Sequence, residues 1–322
     1  MAAGLLLAVG SLVWWARYPT SLVRITLTIG AITLGMTTGW MGMRRAAHHS
    51  DIFRFSYGAG IQGIQWGVER LREIDHPQLA TMMGCWLAEP EAMFRLGASR
   101  TEPRAPFNPE SLTEAQKKLE PVLILHGKFG IPEHYTKLVS MLDPDRPVFF
   151  VQLVEGSHTV VAEDIARVEQ AKEEIKQLYG DGFDHRFLVF CFSRGCEVGA
   201  ASLIEGVDLA PDGTLLFQGR DLKLKGDIER AVFLGTPPSA MVPGHLLKDT
   251  LFDGRIAEID GENDILVAER SRLGGNQQRQ IRGSGHVGLI MHSQALAPAA
   301  SFLESGSFGG KGVADLPQTR AK

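Results

Sequence analysis

Three side chains whose types fit nucleophilic catalysis each follow a segment that reads as a strand. Ser193 ends the apolar run Phe187 to Phe192 and opens a stretch of small residues. Asp264 stands in the loop Asp260-Gly-Glu-Asn-Asp264, beyond Ile259. His286 lies in Gly283-Ser-Gly-His-Val-Gly288. A serine hydroxyl is a poor nucleophile at neutral pH and needs a base beside it; a histidine can take that part, and a carboxylate can orient the histidine. A sharp strand-to-helix turn would lift the serine oxygen above a sheet. It would also leave the next amide, that of Arg194, at a helix N-terminus, where it can face an oxyanion. Such a turn admits only small neighbours two positions away. Gly195 meets that demand, and Cys191 stands where glycine is usual. Taken alone, Ser193 reads as a helix-capping residue; an aspartate and a histidine following it at strand ends turn the reading toward a nucleophile. Asp260 and Glu262 share the loop with Asp264, and Asp260 is also placed to cap a turn. The side chain of Arg194 is expected in solvent, His126 as a loop brace, and Cys191 and Cys196 as packing residues.

The elements that must position these groups alternate in type. Strands are expected at 121–125, 147–154, 187–192, 231–234 and 255–259, with a last one ending at 280–282, and helices at 132–142, 162–179, 198–204 and 288–304. Short, wholly apolar runs such as Pro121-Val-Leu-Ile-Leu125 suit strands covered on both faces, and the alternation predicts an α/β fold with a mostly parallel sheet and helices on both sides. In such sheets function gathers at the C-terminal ends of strands. His126-Gly127, Ser193, Asp264 and His286 all fall there.

Residues 119–304 resemble the α/β-hydrolase superfamily, and within it lipases and esterases. The order Ser, Asp, His is the order of that family's triad. Leu234-Gly-Thr-Pro-Pro238 after a strand is similar to a stretch common in lipases. The resemblance implies Ser193 as nucleophile, His286 as general base and Asp264 as the orienting acid. It implies an oxyanion hole from the amide of Arg194 and one in the loop after His126-Gly127, at Lys128, with Phe129 as the alternative. Cys191 departs from the pattern, as does the absence of two early strands, so a smaller sheet is expected. The implied activity is hydrolysis of a lipid or other apolar acyl ester, with no metal or organic cofactor. An acyltransferase using the same residues, and an inactive hydrolase fold serving as a membrane-tethered binding module, are the competing readings.

Composition sets outer limits. The net charge is −4 over 322 residues, which gives no field to draw nucleic acid. Three cysteines, Cys85, Cys191 and Cys196, form no disulfide or metal framework. The runs 2–16 and 25–43 carry no charge; Arg17 and Arg24 lie between them, and Arg44 and Arg45 follow. These features predict a membrane anchor over 1–45, as one span or a hairpin, with the catalytic domain on the cytoplasmic side. A helical segment is expected over 46–97, a proline-bearing linker over 98–118 and a disordered tail over 305–322. Gly283 to Gly288 matches G-x-G-x-x-G, but no βαβ unit with a downstream acid surrounds it, so a dinucleotide site is rejected. Neither a phosphate-binding loop nor an H-E-x-x-H zinc motif occurs.

Overall fold

The computed structural model describes residues 107–309, except 129, 155–159, 182, 219–220, 241–250, 263, 265–276 and 283. The expected anchor, the helical segment and the start of the linker lie outside the described residues, as does the tail from 310. Among the described residues no helix is long and apolar enough to cross a membrane.

In chain order the strands are β1 (Val122–Leu125), β2 (Val148–Val151), β3 (Phe187–Phe192), β4 (Val207–Leu209), β5 (Leu215–Phe217), β6 (Asp221–Leu222), β7 (Ile228–Leu234), β8 (Leu251–Phe252), β9 (Ile256–Gly261) and β10 (Gln277–Ile281). The α-helices are α1 (Thr136–Val139), α2 (Ala162–Tyr179), α3 (Arg194–Leu203) and α4 (Ser293–Ser305). Six strands form the main sheet in the order β10-β9-β7-β3-β1-β2. Every neighbouring pair in it is parallel. The chain leaves β1 toward β2 at one edge, then crosses back to build β3 and the later strands on the other side. The strand order therefore reverses between β1 and β3, the point at whose carboxyl ends open parallel sheets bind their ligands.

Every residue of β1, β2 and β3 is buried. Their side chains alternate between two cores. Leu123, Leu125, Val189 and Cys191 pack with α2 and α3, whereas Val122, Ile124, Phe190 and Phe192 pack with Leu138 of α1 and Leu296, Phe302 and Leu303 of α4. Coverage on both faces explains why these strands read as unbroken apolar runs. The edge strand β10 is different. Of Gln277–Ile281 only Ile281 is buried, so the strand starts earlier than an apolar pattern suggests. Similarly β7 begins at Ile228, where Glu229 and Arg230 interrupt the apolar pattern.

Helix α3 starts at Arg194 rather than 198, and α4 starts at Ser293, after a 3₁₀ turn over Val287–Ile290. Two other expectations differ more. The helix over 132–142 is a 3₁₀ turn, Pro132–Tyr135, followed by the single α-turn of α1. Tyr135 sits between them at φ −106°, ψ 0°, with its ring buried among Phe150 and Phe190. Burying that ring takes the backbone off the helical path. The middle of the expected linker is not free chain: Phe107 bridges Val148 in parallel, and the Asn108 side chain accepts from the Phe150 amide at 2.7 Å. These contacts extend the sheet beyond β2.

Candidate active site

Ser193 occupies the turn between β3 and α3 at φ 52°, ψ −123°. Few residues other than glycine adopt a positive φ, and holding one there costs about 1–3 kcal/mol; such strain is typically found where a fold displays a reacting side chain. The turn is locked on both sides. The Ser193 amide donates to the Leu234 carbonyl at 3.0 Å, and the Cys196 amide to the Ser193 carbonyl at 2.7 Å. A Cβ at Gly195 would land directly on the carbonyl oxygen of Leu125, so helix α3 starts this close to β1 only because residue 195 has no side chain. Cys191 is accommodated differently. A Cβ at Gly199 would come within 2.6 Å of the Cys191 sulfur, so a glycine one helical turn away makes room for the cysteine. Cys191 and Cys196 are free and buried, and burial pushes both thiols well above their ordinary range. Both are packing residues.

His286 Nε2 lies 2.7 Å from Ser193 Oγ, and His286 Nδ1 lies 2.7 Å from Asp264 Oδ2. Asp264 and His286 are buried. With an ionised carboxylate at Nδ1, that nitrogen carries the hydrogen and Nε2 is left to accept from the serine. Phe192 lies beside the imidazole, ring centroids 5.1 Å apart. Three loops of unrelated sequence position thus converge over the ends of β3, β9 and β10.

Gly235, the glycine of the Leu234-Gly-Thr-Pro-Pro238 stretch, backs the histidine. It has φ 59°, and a Cβ there would come within 3.1 Å of His286 Cε1 and Nδ1. Gly235→Ala is expected to push the ring by a few tenths of an ångström and to lower kcat/KM for an ester about tenfold, since about 1 Å of misplacement costs about 100-fold. Steady-state kinetics on the purified variant checks this.

Asp260 does not share this duty. Side chains alternate along β9, so Asp260 points with Ile256 toward the α3 face, whereas Ala257 and Ile259 lie in the opposite core. Its Oδ1 is buried with no hydrogen-bonding partner among the described residues. Burial first, then the nearby Glu258 and Asp264 charges, push its carboxyl well above the usual range. A raised carboxyl favours the folded state at low pH. The unfolded chain ionises first as pH climbs, so stability is lost from about pH 4 upward, toward the folded-state value. Asp260→Asn removes that loss. Its Tm is expected to gain on that of the wild type progressively between pH 4 and pH 8, as thermal denaturation across that range will show.

On the other flank of Ser193, a Cβ at Gly127 would sit 3.0 Å from the Ser193 Cβ, so the segment after β1 runs against the Ser193 turn. Lys128 follows in an exposed turn; Phe129 lies outside the described residues. His126 is buried. Its Nε2 accepts from the Leu153 amide at 3.1 Å, which leaves the hydrogen on Nδ1, 2.6 Å from the Gly127 carbonyl it donates to. The ring stacks on Phe150. The hydroxyl of Tyr135 accepts from the Gly127 amide at 3.3 Å. Nothing in the sequence pattern marks Tyr135 for that part.

Arg194 corrects the expectation of a solvated side chain. It is buried and its Nη2 pairs with Asp164 Oδ2, itself fully buried. An arginine can leave water when a carboxylate meets it there. The available signal was weak: an acid at the third position of a helix reads as an N-terminal cap, and Asp164 is that too.

No family model matches this chain, and no curated protein matches it. Among solved structures it is similar to one described as a truncated form of carbohydrate esterase from gut microbiota, with TM-score 0.39 and 13% identity, covering 59% of this chain and 86% of that one.

Proposed function

We propose that this chain is a serine hydrolase of the α/β-hydrolase kind, acting on a carboxylic ester through an acyl-enzyme. The observation that carries the reading is the hydrogen-bonded series Ser193–His286–Asp264, with its serine at positive φ where a strand gives way to a helix. Ser193 Oγ attacks the ester carbonyl while His286 Nε2 takes its proton. Asp264 holds the imidazole by Nδ1 and stabilises the imidazolium. The backbone amides of Arg194 and Lys128 are the proposed donors to the oxyanion. His286 then protonates the departing alcohol, and a water deprotonated by the same nitrogen releases the acid and frees the serine. These steps draw on no metal or organic cofactor.

The substrate proposed is a lipid or other apolar acyl ester, met at a membrane surface. Supporting this are the uncharged runs 2–16 and 25–43, which would tether the domain there; Arg44 and Arg45 favour the cytoplasmic side. A series of p-nitrophenyl esters, from acetyl to dodecanoyl, tests the proposal on the full chain in detergent. The expected result is kcat/KM rising with acyl length, as each methylene buried adds about 0.8 kcal/mol. Best turnover of the acetyl ester contradicts the apolar preference; no turnover above that of Ser193→Ala contradicts the hydrolase.

A further inference from the structure

We infer that Asp164 is a positioning residue for the oxyanion hole, fastening its two sides to one another through the segment that follows β2. This rests on the serine hydrolase reading and adds a residue outside the reacting triad.

Asp164 lies in the first turn of α2, far along the chain from either oxyanion donor. Its Oδ1 accepts from the Val154 amide at 2.8 Å, and its Oδ2 from the Val161 amide at 3.1 Å. The same Oδ2 pairs with Arg194 Nη2. One fully buried carboxylate therefore grips Val154, Val161 and the residue directly after the proposed nucleophile. The neighbouring amide, that of Leu153, reaches the other way, to His126 Nε2. His126 in turn holds the Gly127 carbonyl, the peptide unit that carries the Lys128 nitrogen. A continuous path thus runs from Arg194 through Asp164, Val154, Leu153 and His126 to the 127–128 peptide. Both ends of the path are proposed oxyanion donors.

The physical reason for such a fastening lies in how these donors act. A backbone amide stabilises an oxyanion only if it already points there, because reorienting it during the reaction consumes the stabilisation it offers. The direction of the Arg194 amide follows from the torsions at the strained 193–194 junction. A freely solvated side chain at 194 would leave that junction restrained from one side only. Pairing it with a buried, multiply bonded carboxylate fixes it from both, and a low-dielectric setting makes that link stiff. The sharing of one carboxylate also ties Val154 and Val161 to the Ser193 turn, which couples the two sides of the hole.

The test compares Asp164→Asn, Arg194→Met, Arg194→Lys and the double variant Asp164→Asn/Arg194→Met in the full chain, each normalised by fluorophosphonate titration of active sites. Asparagine retains the volume and one acceptor, and the double variant strands no charge, which keeps the question open to measurement if a single variant folds poorly. Removing one oxyanion donor outright costs about 100–1,000-fold, so misaiming it is expected to lower kcat per titrated site about 10–100-fold, with KM within about twofold. The inhibition constant of an alkyl boronic acid, which forms a tetrahedral adduct on the serine, is expected to rise by the same factor as kcat/KM falls. The double variant is expected to lose no more than Asp164→Asn, because both act through one link. Arg194→Lys, which keeps the charge but not the planar fork, is expected to fall less than about fivefold. Boronate affinity unchanged per active site, with all losses traced to fewer titratable sites, overturns the inference while the hydrolase reading stands. An equal loss in Arg194→Lys and Arg194→Met does the same. A wild type that neither turns over esters nor titrates removes the hydrolase reading, and this inference with it.

Discussion

Ser193→Ala is expected to lower kcat for a p-nitrophenyl ester by about 10⁵-fold or more while Tm stays within about 2 °C of wild type. The chemistry has no other entry point. His286 Nε2 would face a methyl group, and water would have to attack without a covalent intermediate. The proposed oxyanion donors, the amides of Arg194 and Lys128, would remain, so a residual rate about 10³–10⁴-fold above the solvent reaction can persist. Stability is spared because alanine and serine suffer alike at φ 52°. That point yields a second, diagnostic arm. Ser193→Gly is expected to be as inactive as the alanine variant yet more stable by about 1 kcal/mol, since glycine adopts this conformation without a Cβ penalty. A glycine variant no more stable than the alanine one would mean that the turn stores no strain.

Asp264→Asn is the second large effect, expected near 10⁴-fold in kcat. The asparagine can meet His286 Nδ1 through its amide hydrogens, which drives the imidazole hydrogen to Nε2, where the serine needs an acceptor. It also removes the charge that stabilises the imidazolium. The neighbouring carboxylate supplies the control. Asp260→Asn is expected to leave kcat within about threefold, because its side chain lies on the α3 face of β9 and makes no bond to His286. Steady-state kinetics of the two variants side by side checks the assignment; equal losses, or the reverse ranking, mean the wrong acid has been named.

The division between what the sequence disclosed and what it hid has physical causes. Strand β3 and helix α2 are legible to the residue, one as an unbroken apolar run and the other as a long amphipathic period. Ser193, Asp264 and His286 were legible because small and polar residues interrupt apolar runs at the points where strands must end. Ambiguity between Asp260 and Asp264 was inherent, since strand alternation decides it and the end of β9 carries too few apolar residues to set the phase. Long-range partners were not legible. The burial of Arg194 depends on Asp164, and the part of Tyr135 depends on the Gly127 amide; neither pairing follows from local pattern. The end of the edge strand β10 was legible at Gln280 and Ile281, but its start hid behind polar residues, as edges are polar where one side meets water. In each case the missing information was the identity of a neighbour distant along the chain.

On the proposed mechanism the hydroxyl of Ser193 is activated as a nucleophile by His286 beside it. Reaction of the full chain with a fluorophosphonate, followed by peptide mass spectrometry, tests this most directly. One covalent adduct is expected, located on Ser193, formed rapidly in the wild type, slowed by orders of magnitude in His286→Ala, and absent in Ser193→Ala. An adduct on another residue, or a folded wild type that stays unmodified, contradicts it.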